Sequence, residues 1–213
     1  LGAAGAALGT VLSQTLSVLI ALVTIRLRRS GLQLKMGDLR PRKAVLRPIL
    51  RVGIPVALQD GFIQIAFIVI TIIANQRGLN DAAAVGIVEK VIGMLFLVPS
   101  SMLSTVSAIS AQNIGAGRHE RAAKTLRCAI LICVLFGAAV VVLVQNSAES
   151  IVALFDRSPA VVLAGGQYFR GYVWDCIFAG IHFCFSGYFC AYGRSDISFL
   201  HNMLSIVLVR IPG

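Results

Sequence analysis

The chain has 213 residues and a formal net charge of +10, yet only 13% of its residues are charged, and its mean hydropathy is +0.86. Soluble domains carry about 25% charged residues, so no full solvated shell can be built and much of the surface must face lipid. The cations lie between apolar runs instead of along one amphipathic face, without zinc-finger spacing or an RNA-binding aromatic signature. The expected partner is therefore the lipid bilayer and not nucleic acid.

A spanning helix needs about 20 mainly apolar residues. Six stretches qualify: 4–25, 52–75, 84–111, 126–145, 167–192 and 196–212. The first ends at Arg26, Arg28 and Arg29, and contains Gly5-x-x-x-Gly9, a small-residue face suited to close helix contact. Its basic cluster follows the apolar run, the reverse of a signal peptide. Residues 29–50 come next, with Gly31, Gly37, Pro41 and Pro48 reading as irregular backbone. Apolar residues among the cations there leave two readings open, a surface helix at the headgroups or a solvated tether. The third stretch contains Pro99, which is expected to bend it. The loop 146–166 carries Ser158-Pro159, an N-cap followed by a first-turn proline, so a short helix should start there. Ile151 to Phe155 should pack down onto the bundle. The chain opens at Leu1 inside one apolar run and stops just after another, and both ends read as cut.

The loops separate by charge. Segments 26–51, 114–127 and 193–196 together hold fourteen Lys and Arg residues, whereas 76–83 and 146–166 hold only Arg77 and Arg157. The positive-inside rule places the first set in the cytoplasm. Six spans satisfy this alternation and an odd number would break it. The expected fold class is all-α, a polytopic helical membrane protein with six transmembrane helices, multi-pass in the bacterial inner (plasma) membrane.

At the end of the third stretch the sequence reads Ser110-Ala-Gln-Asn-Ile-Gly-Ala-Gly-Arg-His-Glu-Arg-Ala-Ala123. Physically this is a helix leaving the membrane, a Gly-rich stop and an amphipathic restart, with Gly115 and Gly117 available for the stop. The run resembles the signature of the multidrug and toxic compound extrusion (MATE) family. Gly53-Ile-Pro-Val-Ala-Leu58 looks like the start of that family's seventh span. Leu154-Phe155 through Tyr168 looks like its outer loop before the tenth, and Arg210-Ile-Pro212 like the end of its eleventh. The resemblance covers essentially the whole chain and is closest to the DinF-like branch. It implies a twelve-helix transporter of two lobes with alternating access around a midplane site. On that mapping, 1–28 is the last helix of the N-terminal lobe, 29–50 the cytoplasmic interlobe linker, and 51–213 five helices of the C-terminal lobe, whose last helix is missing.

Ionisable groups within spans are costly and are functional candidates by default. Asp60 lies nine residues after Arg51, roughly 13 Å deep at 1.5 Å per residue. Gln64 follows one turn later on the same face, whereas Gln59 does not share it. Asp60 is a candidate for substrate or proton handling, with a helix–helix hydrogen bond or a cavity wall as the plain alternative. Glu89 and Lys90 diverge by about 100° as helix neighbours, so each should pair elsewhere. Lys90 could meet Asp60 or Asp175, or snorkel outward. Asp175 lies in the fifth stretch. In vibrio-type members of the family the resemblance points to, an acidic residue of this span maps to Ala179 here, and one of the seventh span maps near Ile63. These departures weaken a sodium-site reading. His182, flanked by apolar Phe183, reads as a satisfied core histidine before it reads as a proton carrier. Phe178 and Phe185 share a face that suits either lipid packing or a pocket for flat cations. The five cysteines lie in apolar stretches without a CxxC pair and read as small buried hydrophobes.

No Ser-His-Asp arrangement, metal cluster or Walker loop is visible, so the chain is not expected to be an enzyme or to hold a metal or cofactor. The resemblance implies an antiporter that exchanges H+ or Na+ for small-molecule organic cations, monomeric when full length. A lipid-linked saccharide flippase of the same superfamily is the alternative, and a non-transporting membrane component or channel subunit is a third.

Overall fold

The computed structural model describes residues 2–27 and 42–205. The chain divides into two compact units, Leu1–Val45 and Leu46–Gly213. The first unit is essentially one helix, α1 (Gly2–Leu27), apolar on all sides. Its hydroxyls fold back on its own backbone: Ser13 Oγ donates to the Thr10 carbonyl at 2.9 Å and Thr15 Oγ1 to the Val11 carbonyl at 2.8 Å. A helix in hydrocarbon must satisfy its polar groups internally, and this is the local way to do so.

The second unit is built from α2 (Lys43–Arg77), α3 (Leu79–Leu95), α4 (Leu97–Gly115), α5 (His119–Val152), α6 (Pro159–Tyr172), α7 (Asp175–Ala191) and α8 (Ser195–Ser205). The protein is all-α. Among the described residues four helical segments are long and apolar enough to cross a membrane, or five if the bent pair α6–α7 is one span. The expected sixth stretch is described only as far as Ser205, as an 11-residue helix, so its remaining residues and Arg210-Ile-Pro212 lie outside the described part.

Several boundaries differ from expectation. α2 begins at Lys43 and runs unbroken through Pro48 and Pro55. The segment read as an irregular linker is therefore helical from residue 43, a boundary at 50/51 falls inside a helix, and 29–41 lies outside the described residues. Neither proline stops this helix, because the bond each one removes is a single rung in a 35-residue ladder. The third span is longer than 84–111 and runs from Leu79 to Gly115. Its helix is interrupted at Phe96, one turn before Pro99. Pro99 has no N–H to offer the Leu95 carbonyl, while the rungs on either side survive, Phe96 N to Ile92 O at 2.8 Å and Ser100 N to Phe96 O at 2.9 Å.

The loop expected at 146–166 is mostly helix. α5 continues to Val152 and α6 starts at Pro159, with Ser158 as N-cap. The Ser158 side chain makes no cap bond; instead its backbone N–H donates to Asp156 Oδ1 at 2.8 Å. Val152 is fully buried, but Leu154 is 82% exposed and Phe155 is also exposed, so only the first part of 151–155 packs down. The expected span 167–192 takes in the end of α6 and all of α7, two helices that meet at 41°.

Two pairs of consecutive helices and the long α5 make the core. α3 lies along α6, α4 along α7, and α5 packs across both pairs. Val88 and Ile92, Val141, Val144 and Val152, and Phe169 and Val173 interdigitate in one cluster. Val106, Ala129, Cys133 and Cys184 form a second. Lipid tails are as apolar as these side chains, so close van der Waals approach, more than hydrophobic transfer, must hold the helices together. Glycines provide that approach: a Cβ on Gly137 would lie 2.8 Å from Ile177 Cγ1, and one on Gly180 would lie 2.9 Å from Cys133 Cβ.

At the cation-rich end two turns have the same construction. Gly117 and Gly193 adopt φ of 71° and 68°. In each, the following arginine N–H reaches back five residues, Arg118 N to Asn113 O at 2.8 Å and Arg194 N to Phe189 O at 2.9 Å. The glycine N–H bonds three residues back, to Ile114 O and to Cys190 O, both at 2.9 Å. These are Schellman caps, and they need the left-handed residue that glycine supplies. Gly117 is thus the stop expected from the sequence, while Gly115 is still helical.

Candidate functional site

α2 presents two unlike polar faces at mid-length. Asp60 and Gln64 are both exposed, one turn apart on the same face. Gln59 is 3% exposed and points into the second unit. There Ser198 Oγ of α8 donates to Gln59 Oε1 at 3.1 Å, and Gln59 Nε2 lies 3.4 Å from His182 Nε2 of α7. Ser198 Oγ is also 2.7 Å from Ser186 Oγ, and His182 Nδ1 is 2.9 Å from His201 Nδ1. Ser195 Oγ donates to the Arg51 carbonyl at 3.2 Å, and Phe62 meets Phe199 with ring centroids 6.3 Å apart. α2 is therefore held on α7 and α8 by side chains, with an amide, two hydroxyls and two imidazoles at the centre of the contact.

The other sequence candidates do not converge on this cluster. Glu89 is half-buried in α3, with one carboxylate oxygen enclosed and without a hydrogen-bond partner. Lys90 is exposed. Ion pairs among the described residues join Arg170 to Glu149 at 3.2 Å and Arg194 to Asp196 at 3.3 Å. Asp175 is half-buried in the first turn of α7, where the helix dipole favours a carboxylate. Phe178 is 67% exposed, the orientation of the lipid-packing reading. Cys133 and Cys184 are buried free thiols with sulfurs 3.6 Å apart. No group of three or more His, Cys, Asp or Glu among the described residues could hold a metal ion.

Gln59 does not share the face of Asp60, and that same fact places it in the cluster. A usable signal existed: Gln59, His182, Ser186, Ser198 and His201 are polar positions within apolar runs. Their partnership depends on which helices touch, which no spacing reports.

Residues 55–213 match the MatE family. The chain belongs to that family. The match begins at Pro55 of α2, in the stretch Gly53 to Leu58 that carried part of the resemblance. Among curated MatE-like relatives, a probable multidrug resistance protein, YoeA of Bacillus subtilis (strain 168), is 28% identical over 158 residues, covering 73% of this chain and 34% of its own length. YpnP of the same organism, also a probable multidrug resistance protein, is 24% identical over 212 residues, covering 100% and 47%. The multidrug export protein MepA of Staphylococcus haemolyticus (strain JCSC1435) is 24% identical over 190 residues, covering 89% and 42%. The chain thus spans under half the length of these relatives. A MOP superfamily transporter from Pyrococcus furiosus has the same fold over 77% of this chain and 36% of its own, with a TM-score of 0.71 at 17% identity.

Proposed function

We propose that this chain is part of a cation-coupled exporter of small organic cations in the bacterial inner membrane, with Asp60 and Gln64 facing a cavity shared with the other lobe. The observation that carries the reading is the pair of faces on α2. Gln59 docks the helix on α7 and α8, which leaves the Asp60–Gln64 face uncovered by this unit. A carboxylate near mid-bilayer costs about 2.5–3.5 kcal/mol on insertion scales, so that face belongs against water or protein and not lipid. A site carboxylate with a neutral amide one turn away can trade a proton or sodium ion for a cationic substrate. Glu89, Lys90 and Asp175 line up as secondary candidates on neighbouring elements.

In this reading residues 1–28 are the last helix of the N-terminal lobe, 29–50 link the lobes and 51–213 belong to the C-terminal lobe, with the cation-rich turns in the cytoplasm. The names of the relatives, multidrug resistance and multidrug export, support the substrate class. Asp60→Asn in the full-length protein should leave expression intact, lower drug resistance and flatten the pH dependence of efflux. Normal transport by that variant across about pH 6 to 8, where a coupling proton would be exchanged, would assign Asp60 a structural role only.

A further inference from the structure

The rings of His182 and His201 lie within 19° of parallel, with centroids 4.7 Å apart and the two Nδ1 atoms at 2.9 Å. A contact of that length between two imidazole nitrogens holds one hydrogen. The rest of the cluster decides where the others sit. Gln59 Oε1 accepts from Ser198, which turns the amide NH2 toward His182 Nε2. His182 Nε2 is then the acceptor, Nδ1 carries the ring hydrogen, and it donates to His201 Nδ1. His201 in turn carries its hydrogen on Nε2. Ser198 has one hydroxyl hydrogen, and with it on Gln59 Oε1 the 2.7 Å contact to Ser186 requires Ser186 to donate, so that the chain runs one way: Ser186 to Ser198 to Gln59 to His182 to His201.

Adding one proton changes this in a way the geometry dictates. The pair then holds three ring hydrogens. Only one fits between the Nδ1 atoms, so the other two must occupy both Nε2 positions. The incoming proton forms a new N–H bond at His182 Nε2, pointing at the Gln59 NH2. Two donors now face each other. The clash is relieved if the Gln59 amide turns over, presenting Oε1 to His182 and NH2 to Ser198, whose hydroxyl then donates to Ser186 across the 2.7 Å contact. A second proton would place two N–H groups nose to nose between the rings.

We propose that His182 and His201 form a one-proton binding site inside the membrane, read by Gln59 of α2 through reversal of this hydrogen-bond chain. The proposal extends the exporter reading by giving this half of the protein a proton site distinct from Asp60. His201 is exposed and in direct contact with His182, which gives the proton a path to the pair. The surroundings contain few competing charges. α4 has no Asp, Glu, Lys, Arg or His, and α5 has none between Arg127 and Glu149, where its titratable side chains are the exposed Cys128 and the buried Cys133. On α7 Asp175 and Cys176 lie about two turns before His182, and on its other side come Cys184, hydrogen-bonded to Cys133, and Tyr188, hydrogen-bonded to Tyr192. On α8 Asp196 is engaged by Arg194. On α2 Asp60 turns to the exposed face. Glu89 and Lys90 of α3 lie two turns before Phe96, the residue whose ring meets Phe183. The Gln59 amide, and not a carboxylate, is the side chain at hydrogen-bonding distance from His182 Nε2, which makes the position of Gln59 the sensitive element.

The test uses full-length protein with 15N-labelled histidine in phosphatidylethanolamine–phosphatidylglycerol nanodiscs, followed by NMR between about pH 5 and 8, where histidine changes charge. At the alkaline end His182 should carry hydrogen on Nδ1 alone and His201 on Nε2 alone. Acidification should add one proton per pair, with both Nε2 atoms protonated. His201→Gln should change the titration of His182, and Gln59→Leu should abolish its single-tautomer state while leaving a pair that still takes one proton. A His182 found with hydrogen on Nε2 at the alkaline end, or two histidines that titrate independently, overturns the proposal. In parallel, ethidium efflux driven by an imposed pH gradient in everted vesicles should lose its pH dependence in His201→Gln. A wild-type protein that moves no ethidium at any pH would count against the exporter reading, while the tautomers would still decide the proton site.

Discussion

Gly187 of α7 lies against the backbone carbonyl of Leu103 in α4, so closely that a Cβ on the glycine would clash with that oxygen, and would also stand 3.2 Å from Ser107 N. Backbone, and not a flexible side chain, sets this contact. Gly187→Ala should therefore push α4 and α7 apart and cost at least the 1–3 kcal/mol or so typical of overpacking. Gly171→Ala, where nothing lies within 4 Å, should be tolerated. Thermal unfolding of the two variants in detergent, followed by size-exclusion fluorescence, checks the contrast. Equal midpoints would mean that the α4–α7 contact has slack.

The paired caps at Gly117 and Gly193 make a second contrast. Both glycines have positive φ and open space around a would-be Cβ. Alanine there meets backbone strain without a clash, and each substitution should cost about 1–2 kcal/mol. Gly115→Ala, in the same loop sequence but helical, should be neutral or slightly stabilising, since alanine is the better helix former by roughly 1 kcal/mol. Ranking the three by midpoint of thermal unfolding is sufficient. A Gly115 variant worse than the Gly117 variant would contradict the assignment of the stop.

Thiol reactivity should follow burial. Cys128 is exposed, Cys133, Cys176 and Cys184 are buried, and Cys190 is intermediate. In folded protein a small maleimide should label Cys128 first and leave the three buried thiols unlabelled until denaturant is added. Mass spectrometry of the labelled peptides reads this directly. Early labelling of Cys133 or Cys184 would show that the α5–α7 contact opens readily.

Orientation rests on charge and is tested by accessibility. Ser30→Cys, in the cation-rich segment, should resist an impermeant maleimide added outside intact cells, and Asp81→Cys, in the first turn of α3, should react. Equal reaction at the two positions would reject the assignment of sides.

The membrane class, four or five of the six expected spans and the helix stop were legible because each depends on local chemistry. Apolar length determines what can cross a bilayer, and Ser158-Pro159 and Gly117 act within a turn of themselves. Element lengths were less legible. Hydropathy falls where helices continue past the apolar stretch, so α5 reaches Val152 and α2 starts at Lys43 although charged and polar residues lie there. Pro48 and Pro99 carry the same local signal with opposite results, the exposed Pro48 absorbed within a helix and the buried Pro99 beside a break.

The sequence by itself determined the candidates of the site, because any ionisable or amide side chain in an apolar run is conspicuous. It also determined that Asp60 and Gln64 share a face, since helical periodicity requires it. Only the tertiary structure decided that Gln59, on the other face, meets His182, and that His182 meets His201. Those residues are 123 and 19 positions apart. A hydrogen bond acts over about 3 Å, so what it joins depends on which helices lie side by side, and no local rule of sequence carries that distance.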